Sequence, residues 1–211
     1  MNATSGGSEA VRWSEAVAPW DQEAAWSRTL ALTTSEDMAR GLFLRGTLKA
    51  VRALGDESLV ARSTAACGQT GFLEFFNYPA SVLLRLLAEA VPSLAQRHGD
   101  VAHALWLLGN CVGRDFLDSE SGRAMCQLLR REAKRLMNHL PAAYQLSLTG
   151  TRAVQWLGPQ HCRFVMTHDV LPAAFHEGLL VALLEHMDTR RIHVEGVQTG
   201  PLAREFDISW R

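Results

Sequence analysis

Between residues 36 and 141, apolar residues recur at every third or fourth position, the spacing that places them on one face of an α-helix. This spacing predicts about five consecutive helices. The first is expected to begin near Ser35, whose hydroxyl can cap it, and the last to end at Pro141. Each helix of this kind carries an apolar stripe that must be covered. The helical half therefore needs a second layer to pack against.

Beyond residue 141 the repeat shortens to two residues, which is typical of strands with one buried face. Such strands form an antiparallel sheet that helices cover on its apolar side. We therefore predict an α+β fold, in which the helical half packs on an antiparallel sheet of about four to five strands interrupted by one helix. The predicted single domain spans residues 36–211, divided into a helical half at 36–141 and a β-β-β-α-β-β half at 142–211.

Residues 1–35 are expected to form a separate lead-in, either mobile or docked on the domain. A small polar stretch at residues 5–8 is typical of a flexible linker. Trp13, Trp20 and Trp26 follow at nearly helical spacing. Because a packed tryptophan buries roughly 150–250 Å², we expect this segment to dock on the domain; the alternative is that it awaits a partner.

Composition narrows the class of protein. The formal net charge is −1, which does not favour nucleic acid or an anionic membrane as a partner. No apolar run is long enough to span a bilayer, and residues 1–9 lack the features of a signal peptide. We therefore expect a cytoplasmic protein. Its four cysteines are far apart and form no C-x-x-C pair, so neither a zinc knuckle nor a redox motif is indicated.

A cluster of polar residues lies at the junction between a predicted strand and the helix that follows it: His168, Asp169, His176 and Glu177. These residues are candidates for a hydrogen-bonded structural cluster or for a metal or proton-transfer site. The zinc-protease pattern H-E-x-x-H is incomplete, because Leu180 stands where the second histidine belongs. With no nucleophile motif elsewhere, we expect no enzyme and no bound metal.

A second polar feature is a run of basic residues: Arg130, Arg131, Lys134 and Arg135. They lie opposite the apolar stripe of their predicted helix. Such a run is typical of a solvated face, and it is also the kind of surface that binds an anionic partner.

Several short stretches resemble a family of myxobacterial paralogues of unassigned function, over residues 39–210. They are Ala39-Arg40-Gly41-Leu42-Phe43, Phe75-Phe76-x-Tyr78-Pro79, Leu84-Arg85-Leu86-Leu87, Leu140-Pro141-x-x-Tyr144, Leu171-Pro172-Ala173-Ala174-Phe175-His176-Glu177-Gly178, Thr199-Gly200 and Ser209-Trp210. The resemblance identifies relatives without implying an activity.

The chain has a looser likeness to the superfamily of haem–nitric-oxide sensors, 4-vinyl-reductase-type ligand domains and transport-particle core subunits. That likeness implies a small-molecule sensor or a protein-assembly module. The sensors hold haem with a Tyr-x-Ser-x-Arg motif and a histidine some thirty residues earlier. Here the serine, Ser147, comes one place late after Tyr144, and Arg114 and Asp115 stand near the histidine position. We therefore expect no cofactor, with haem and zinc set aside.

The leading hypothesis is a non-enzymatic ligand-binding or protein-interaction module in cytoplasmic signalling or regulation. Its partner would be another protein or an apolar small molecule, with a homodimer as one further assembly. The alternative is a metal- or haem-dependent sensor or enzyme that uses the polar residues at 168–177. Candidate ligand-pocket residues, or equally members of a solid core, are Phe72, Phe75, Phe76, Tyr78, Leu86, Leu108 and Trp156.

Overall fold

The computed structural model describes residues 22–211, and in them seven helices precede a four-stranded antiparallel sheet that one further helix interrupts. Trp13, Trp20 and most of the predicted lead-in lie outside the described residues, whereas Trp26 is buried in a helix that packs on α4. The elements are α1 (Gln22–Leu32), β1 (Met38–Arg40), α2 (Gly41–Leu54), α3 (Glu57–Ala66), β2 (Asn77–Pro79), α4 (Ala80–His98), α5 (Val101–Asp118), α6 (Glu120–Leu129), α7 (Ala133–Gln145), β3 (Thr151–Gly158), β4 (His161–Thr167), α8 (Ala173–Glu185), β5 (His193–Gly200) and β6 (Ala203–Ser209).

The sheet has the strand order β3-β4-β6-β5, and every neighbouring pair is antiparallel. Most of its inner face is apolar, because alternate residues of the two central strands point the same way. Phe164 and Met166 of β4 and Phe206 and Ile208 of β6 are fully buried. The predicted fold class, a helical half on a sheet interrupted by a helix, is confirmed.

Helix α8 lies against α5, and glycines set how closely the two approach. A Cβ on Gly109 would come within 1.8 Å of the Phe175 carbonyl oxygen, and one on Gly178 within 1.9 Å of the Trp106 carbonyl oxygen. Only glycine allows two backbones this close. Asn110 uses the short distance to donate from its side chain to the Gly178 carbonyl at 3.2 Å.

The chain ahead of α2 differs from its prediction. Ser35 does not cap a helix; instead the Asp37 carboxylate accepts a hydrogen bond from the Thr34 amide at 2.7 Å and closes a turn. Residues 38–40 then form β1, which pairs antiparallel with β2, and α2 begins only at Gly41. The expected helix start at Ser35 is therefore wrong, because the chain forms a turn and a short strand there.

A second difference concerns α7, which continues through Pro141 to Gln145. Of the three strands predicted between residue 142 and the following helix, the first is absent: Tyr144 is helical, and Leu148 makes only an isolated bridge with Ala39. Tyr144 is 3% exposed, so burial of its ring stabilises the last turn despite the hydrogen bond that proline removes. The helix thus crosses the predicted boundary between the two halves.

The β1 strand is also tied to the far end of α7. Arg40 donates from its side chain to the Leu146 carbonyl at 2.9 Å and to the Phe75 carbonyl at 2.6 Å. The Thr149 hydroxyl accepts from the Met38 amide at 2.7 Å. These contacts join three segments far apart in sequence. None of the helices within residues 22–211 is both long and apolar enough to cross a bilayer.

Candidate functional site

A cluster of five buried polar side chains lies where α7, α8 and the sheet meet; we call it the polar core. Asp169, between β4 and α8, and His176, in the first turn of α8, are 1% and 0% exposed. Tyr144 comes from the end of α7, Arg152 from β3 and Arg204 from β6. Four segments distant in sequence are therefore joined through one set of side chains.

Asp169 is the hub of the polar core. Its carboxylate accepts from His176 Nε2 at 2.8 Å, from Arg204 Nη1 at 3.3 Å and from Arg152 Nη2 at 3.4 Å. Burial acts to raise the pKa of this carboxyl group, but the histidine and the two guanidinium groups outweigh it and lower the pKa below its usual value. Asp169 is therefore ionised at neutral pH.

His176 links the hub to Tyr144. Since Nε2–H donates to Asp169, Nδ1 is left to accept from the Tyr144 hydroxyl at 3.1 Å. Burial, and then the Asp169 carboxylate, raise the pKa of Tyr144 above its usual range, so the phenol keeps the proton that it donates. Both ring nitrogens of the histidine are thus used, which fixes its orientation.

The polar core holds more positive than negative charge. Two guanidinium groups, those of Arg152 and Arg204, share the single Asp169 carboxylate. Arg152 also donates to the carbonyls of Leu148 and Thr149, at 3.0 and 2.8 Å. The Nε atoms of both arginines are buried without a hydrogen-bond partner among the described residues. Asp169 is therefore the only carboxylate that neutralises this part of the core within residues 22–211.

Two of the four predicted polar residues meet in this cluster, and two do not. His168 turns outward with its side chain 46% exposed, and its Nε2 contacts Asp37 at 2.6 Å. Glu177 accepts from the Gly196 amide at 2.7 Å and anchors β5, while burial raises the pKa of its carboxyl group. The structure therefore brings together Asp169 and His176 alone of the four.

The two arginines of the polar core were not among the predicted site residues, although β6 carries a signal for one of them. Arg204 precedes Phe206 and Ile208 at two-residue spacing, so it belongs to the buried face of the strand. A charged residue on such a face needs an opposite charge within the core. In this chain Asp169 supplies that charge.

An apolar groove borders the polar core. The Tyr144 ring forms part of its wall, and the helices α2, α5, α6, α7 and α8 supply the rest. Its cavity volume is about 50 Å³, and about 550 Å³ of empty space when the open mouth is included. The lining residues are Leu42, Phe43, Val112, Gly113, Asp115, Phe116, Met125, Leu140, Ala143, Tyr144, Ser147, Leu179 and Leu183.

None of the predicted ligand-pocket residues lines this groove. Leu86 and Leu108 are fully buried in the core, and Phe72 packs edge-on against Tyr78 with ring centroids 5.0 Å apart. Phe75 and Phe76 are 71% and 61% exposed. Trp156 packs against Trp210 and donates from its indole nitrogen to Asn138 at 3.0 Å. Their role as ligand contacts stays a prediction.

Metal-ligating clusters and reactive thiols are the remaining candidates for chemistry. The described part of the chain, residues 22–211, contains no group of three or more His, Cys, Asp or Glu side chains placed to hold a metal ion. All four cysteines are free thiols. Burial raises the pKa of Cys67 to about 11, and burial with the Asp207 charge raises that of Cys162 to about 12. These two thiols are therefore protonated at neutral pH and unreactive.

Comparison with known proteins places the chain among relatives. The model of a family described as "Protein of unknown function (DUF2378)" matches residues 32–211. No curated protein matches. An oxygen-binding H-NOX domain related to soluble guanylate cyclases, solved as its oxygen complex, is similar in structure with a TM-score of 0.62 and 15% identity, over 82% of this chain and 95% of that one. An H-NOX protein from S. oneidensis in the Fe(II)NO ligation state is similar with a TM-score of 0.61 and 13% sequence identity. The match covers 82% of this chain and 99% of that one.

These findings confirm both resemblances drawn from the sequence, to a family of unassigned function and, at the level of fold, to the haem–nitric-oxide sensors. They also correct the expectation that haem is set aside. A third similar structure, described by the words "Modulating Heme Redox Potential Through Protein-Induced Porphyrin Distortion", has a TM-score of 0.58 and 14% identity over 81% of this chain and 99% of that one. The expectation rested on sequence spacing alone, with Ser147 one place late after Tyr144 and Arg114 and Asp115 near the histidine position.

Proposed function

Because the chain belongs to the DUF2378 family of proteins of unknown function and shares its fold with H-NOX domains, we propose that it is a ligand-sensing domain. The ligand would be an apolar small molecule in the groove, and haem is the first one to test. One observation carries the proposal: Tyr144 has its ring in the wall of the groove and its hydroxyl in the polar core. A single side chain thus connects a binding surface to a buried network.

The residues of the groove fit haem in type. Met125 lines it, and methionine is known to ligate haem iron, whereas the Tyr144 hydroxyl is held in the polar core by His176 and leaves only the ring to contact a ligand. Arg45 and Lys49 lie in a neighbouring cleft that shares Leu42 and Asp115 with the groove, where they pair with Glu74 at 3.2 Å and Asp115 at 2.7 Å, so carboxylates of a ligand would have to displace these partners. When bound, haem would supply an iron centre for a small gas. The cavity volume of about 50 Å³ is smaller than the volume of haem, so the helices around the cavity would have to move apart for haem to bind.

The polar core would carry the response. A ligand against the Tyr144 ring changes the packing of the end of α7 and therefore the hydroxyl contact with His176. His176 is bonded to Asp169, which holds Arg204 of β6 and Arg152 of β3. A sensor needs two arrangements that the ligand favours unequally. The shared hydrogen bonds make the end of α7, α8 and the sheet change together.

The proposal is tested by adding haem to the purified full chain and following the Soret absorption of the bound form. Ala143→Phe fills the groove from α7, because Ala143 lines it. Ala142→Phe adds the same bulk on the exposed side of the same helix and serves as the matched control. We expect haem to bind the unaltered chain and the control, and Ala143→Phe to lose binding.

Native mass spectrometry of the full chain as isolated tests whether an apolar ligand other than haem is bound. A retained small molecule that is absent from Ala143→Phe and present in Ala142→Phe would support the groove as the site. If neither haem nor a retained molecule binds, or if Ala143→Phe binds as well as the control, the proposed function is wrong.

A further inference from the structure

Six basic side chains distant in sequence form one surface, which we call the basic patch: Arg130, Arg131, Lys134, Arg135, Arg190 and Arg191. The first four follow α6 and begin α7, and the last two lie between α8 and β5. Two bonds join these segments, from the Asp188 amide to the Arg131 carbonyl at 3.1 Å and from Arg131 Nε to the His186 carbonyl at 3.3 Å. The fold therefore enlarges the basic run seen in the sequence.

The basic patch is poorly neutralised. All six of its residues are exposed. Arg135 pairs with Glu132 at 2.8 Å, and Lys134 lies over the Trp156 ring at 5.0 Å. Within residues 22–211, no carboxylate lies within ion-pair distance of the other four arginines. Because the whole chain has a formal charge of −1, the remainder of the molecule is acidic.

The backbone of the basic patch is held in a costly conformation. Arg130, Arg131 and Arg191 have φ angles of 52°, 57° and 49°, in the left-handed region. Only four non-glycine residues within the described range, 22–211, have positive φ, and three of them are these arginines. Glycine or asparagine adopts this region at lower cost. At Arg130 this conformation ends α6, a position where glycine is the usual residue, so the backbone itself does not favour an arginine there.

We infer that the basic patch binds an acidic segment of a partner protein, independently of the proposed ligand groove. Five of the six cations are arginines, whose planar guanidinium groups bind carboxylates through paired hydrogen bonds. A DNA duplex or a membrane extends beyond the patch and would face the acidic remainder of the chain. Trp156, the aromatic ring beside the patch, is covered by Lys134 and is not free to stack on a base. A short carboxylate-rich segment matches the patch in charge.

The test is fluorescence anisotropy of the full chain with a labelled oligoglutamate peptide, with an oligoglutamine peptide of equal length as the uncharged reference. Arg190→Gln with Arg191→Gln should weaken binding about tenfold. Arg52→Gln with Arg62→Gln removes the same charge from α2 and α3 and should leave binding unchanged. Binding should also weaken as salt is raised.

A further variant examines the strained backbone. Arg130→Gly should raise the midpoint of thermal unfolding by about 2–4 °C, because glycine relieves the left-handed strain, and should weaken peptide binding. The inference is overturned if oligoglutamate binds no better than oligoglutamine, or if the Arg190/Arg191 variant binds as tightly as the control. It is equally overturned if duplex DNA or phosphatidylserine vesicles bind while the acidic peptide does not.

Discussion

Replacing Asp169 by asparagine removes the only carboxylate that the described residues offer to Arg152 and Arg204 in the polar core. Asparagine keeps the size of the side chain and one acceptor oxygen, so the change acts mainly on charge. Both guanidinium groups are then buried without an opposite charge. Removing one partner of a buried ion pair costs about 3–5 kcal/mol. For a chain of this size that corresponds to a fall of roughly 10 °C in the midpoint of thermal unfolding.

The chain provides a matched control in a second aspartate–histidine pair. Asp207 contacts His161 at 2.9 Å, almost the same distance as in the polar core, but both side chains are more than 40% exposed. An exposed pair contributes about 1 kcal/mol or less. Asp207→Asn should therefore change the free energy of unfolding only slightly. Chemical denaturation of both variants at neutral pH measures the difference.

The dependence on pH gives the same prediction a second readout. The folded-state pKa of Asp169 lies below its ordinary value of 3.8, so the stabilisation is complete above that value and is lost as pH falls through the folded pKa. The gap between the unaltered chain and Asp169→Asn should shrink only below about pH 4. Arg204→Met added to Asp169→Asn should restore part of the lost stability. Equal losses for Asp169→Asn and Asp207→Asn would refute the reasoning.

Three further predictions concern packing and reactivity. Gly109→Ala places a Cβ within 1.8 Å of a backbone oxygen of α8 and should destabilise the fold by about 3 kcal/mol or more, whereas Gly71→Ala meets no atom within 4 Å and should be neutral in the same denaturation assay. Tyr144→Phe leaves one ring nitrogen of His176 without its donor and should cost about 1 kcal/mol by calorimetry. Cys67, with a pKa of about 11, should resist alkylation in the folded chain at pH 8 and react once the chain is unfolded, as followed by mass spectrometry.

Four of the five predicted strands were predictable because their pattern is local. Cys162, Phe164 and Met166 alternate with polar residues, and the strand built from them is buried on the predicted side. The helix boundaries were less accurate, since they depend on distant contacts. Pro141 is ordinarily a terminator, yet burial of Tyr144 one turn later keeps α7 helical.

The polar core could be predicted only in part for the same reason. Asp169 and His176 are seven residues apart, so the sequence placed them together. Arg204 reaches Asp169 from 35 positions away, and Tyr144 meets His176 from 32. Periodicity tells which face of an element a side chain occupies, and it carries no information on which element lies opposite. The groove could not be predicted either, because its wall is formed by five helices whose mutual packing the periodicity does not specify.

The contacts of β1 bear on how the chain reaches its fold. Arg40 and Met38 obtain partners at Leu146 and Thr149, separated from them by 106 and 111 positions. Pairings at such separations form slowly, because a long loop must close before they give any stabilisation. During synthesis on a ribosome, β1 can pair with β2 and the Gly41 amide can bond to the Phe76 carbonyl before these two contacts form, because residues 146 and 149 emerge later. The bonds to Leu146 and Thr149 therefore come last, and they join the β1–β2 pair to the end of α7.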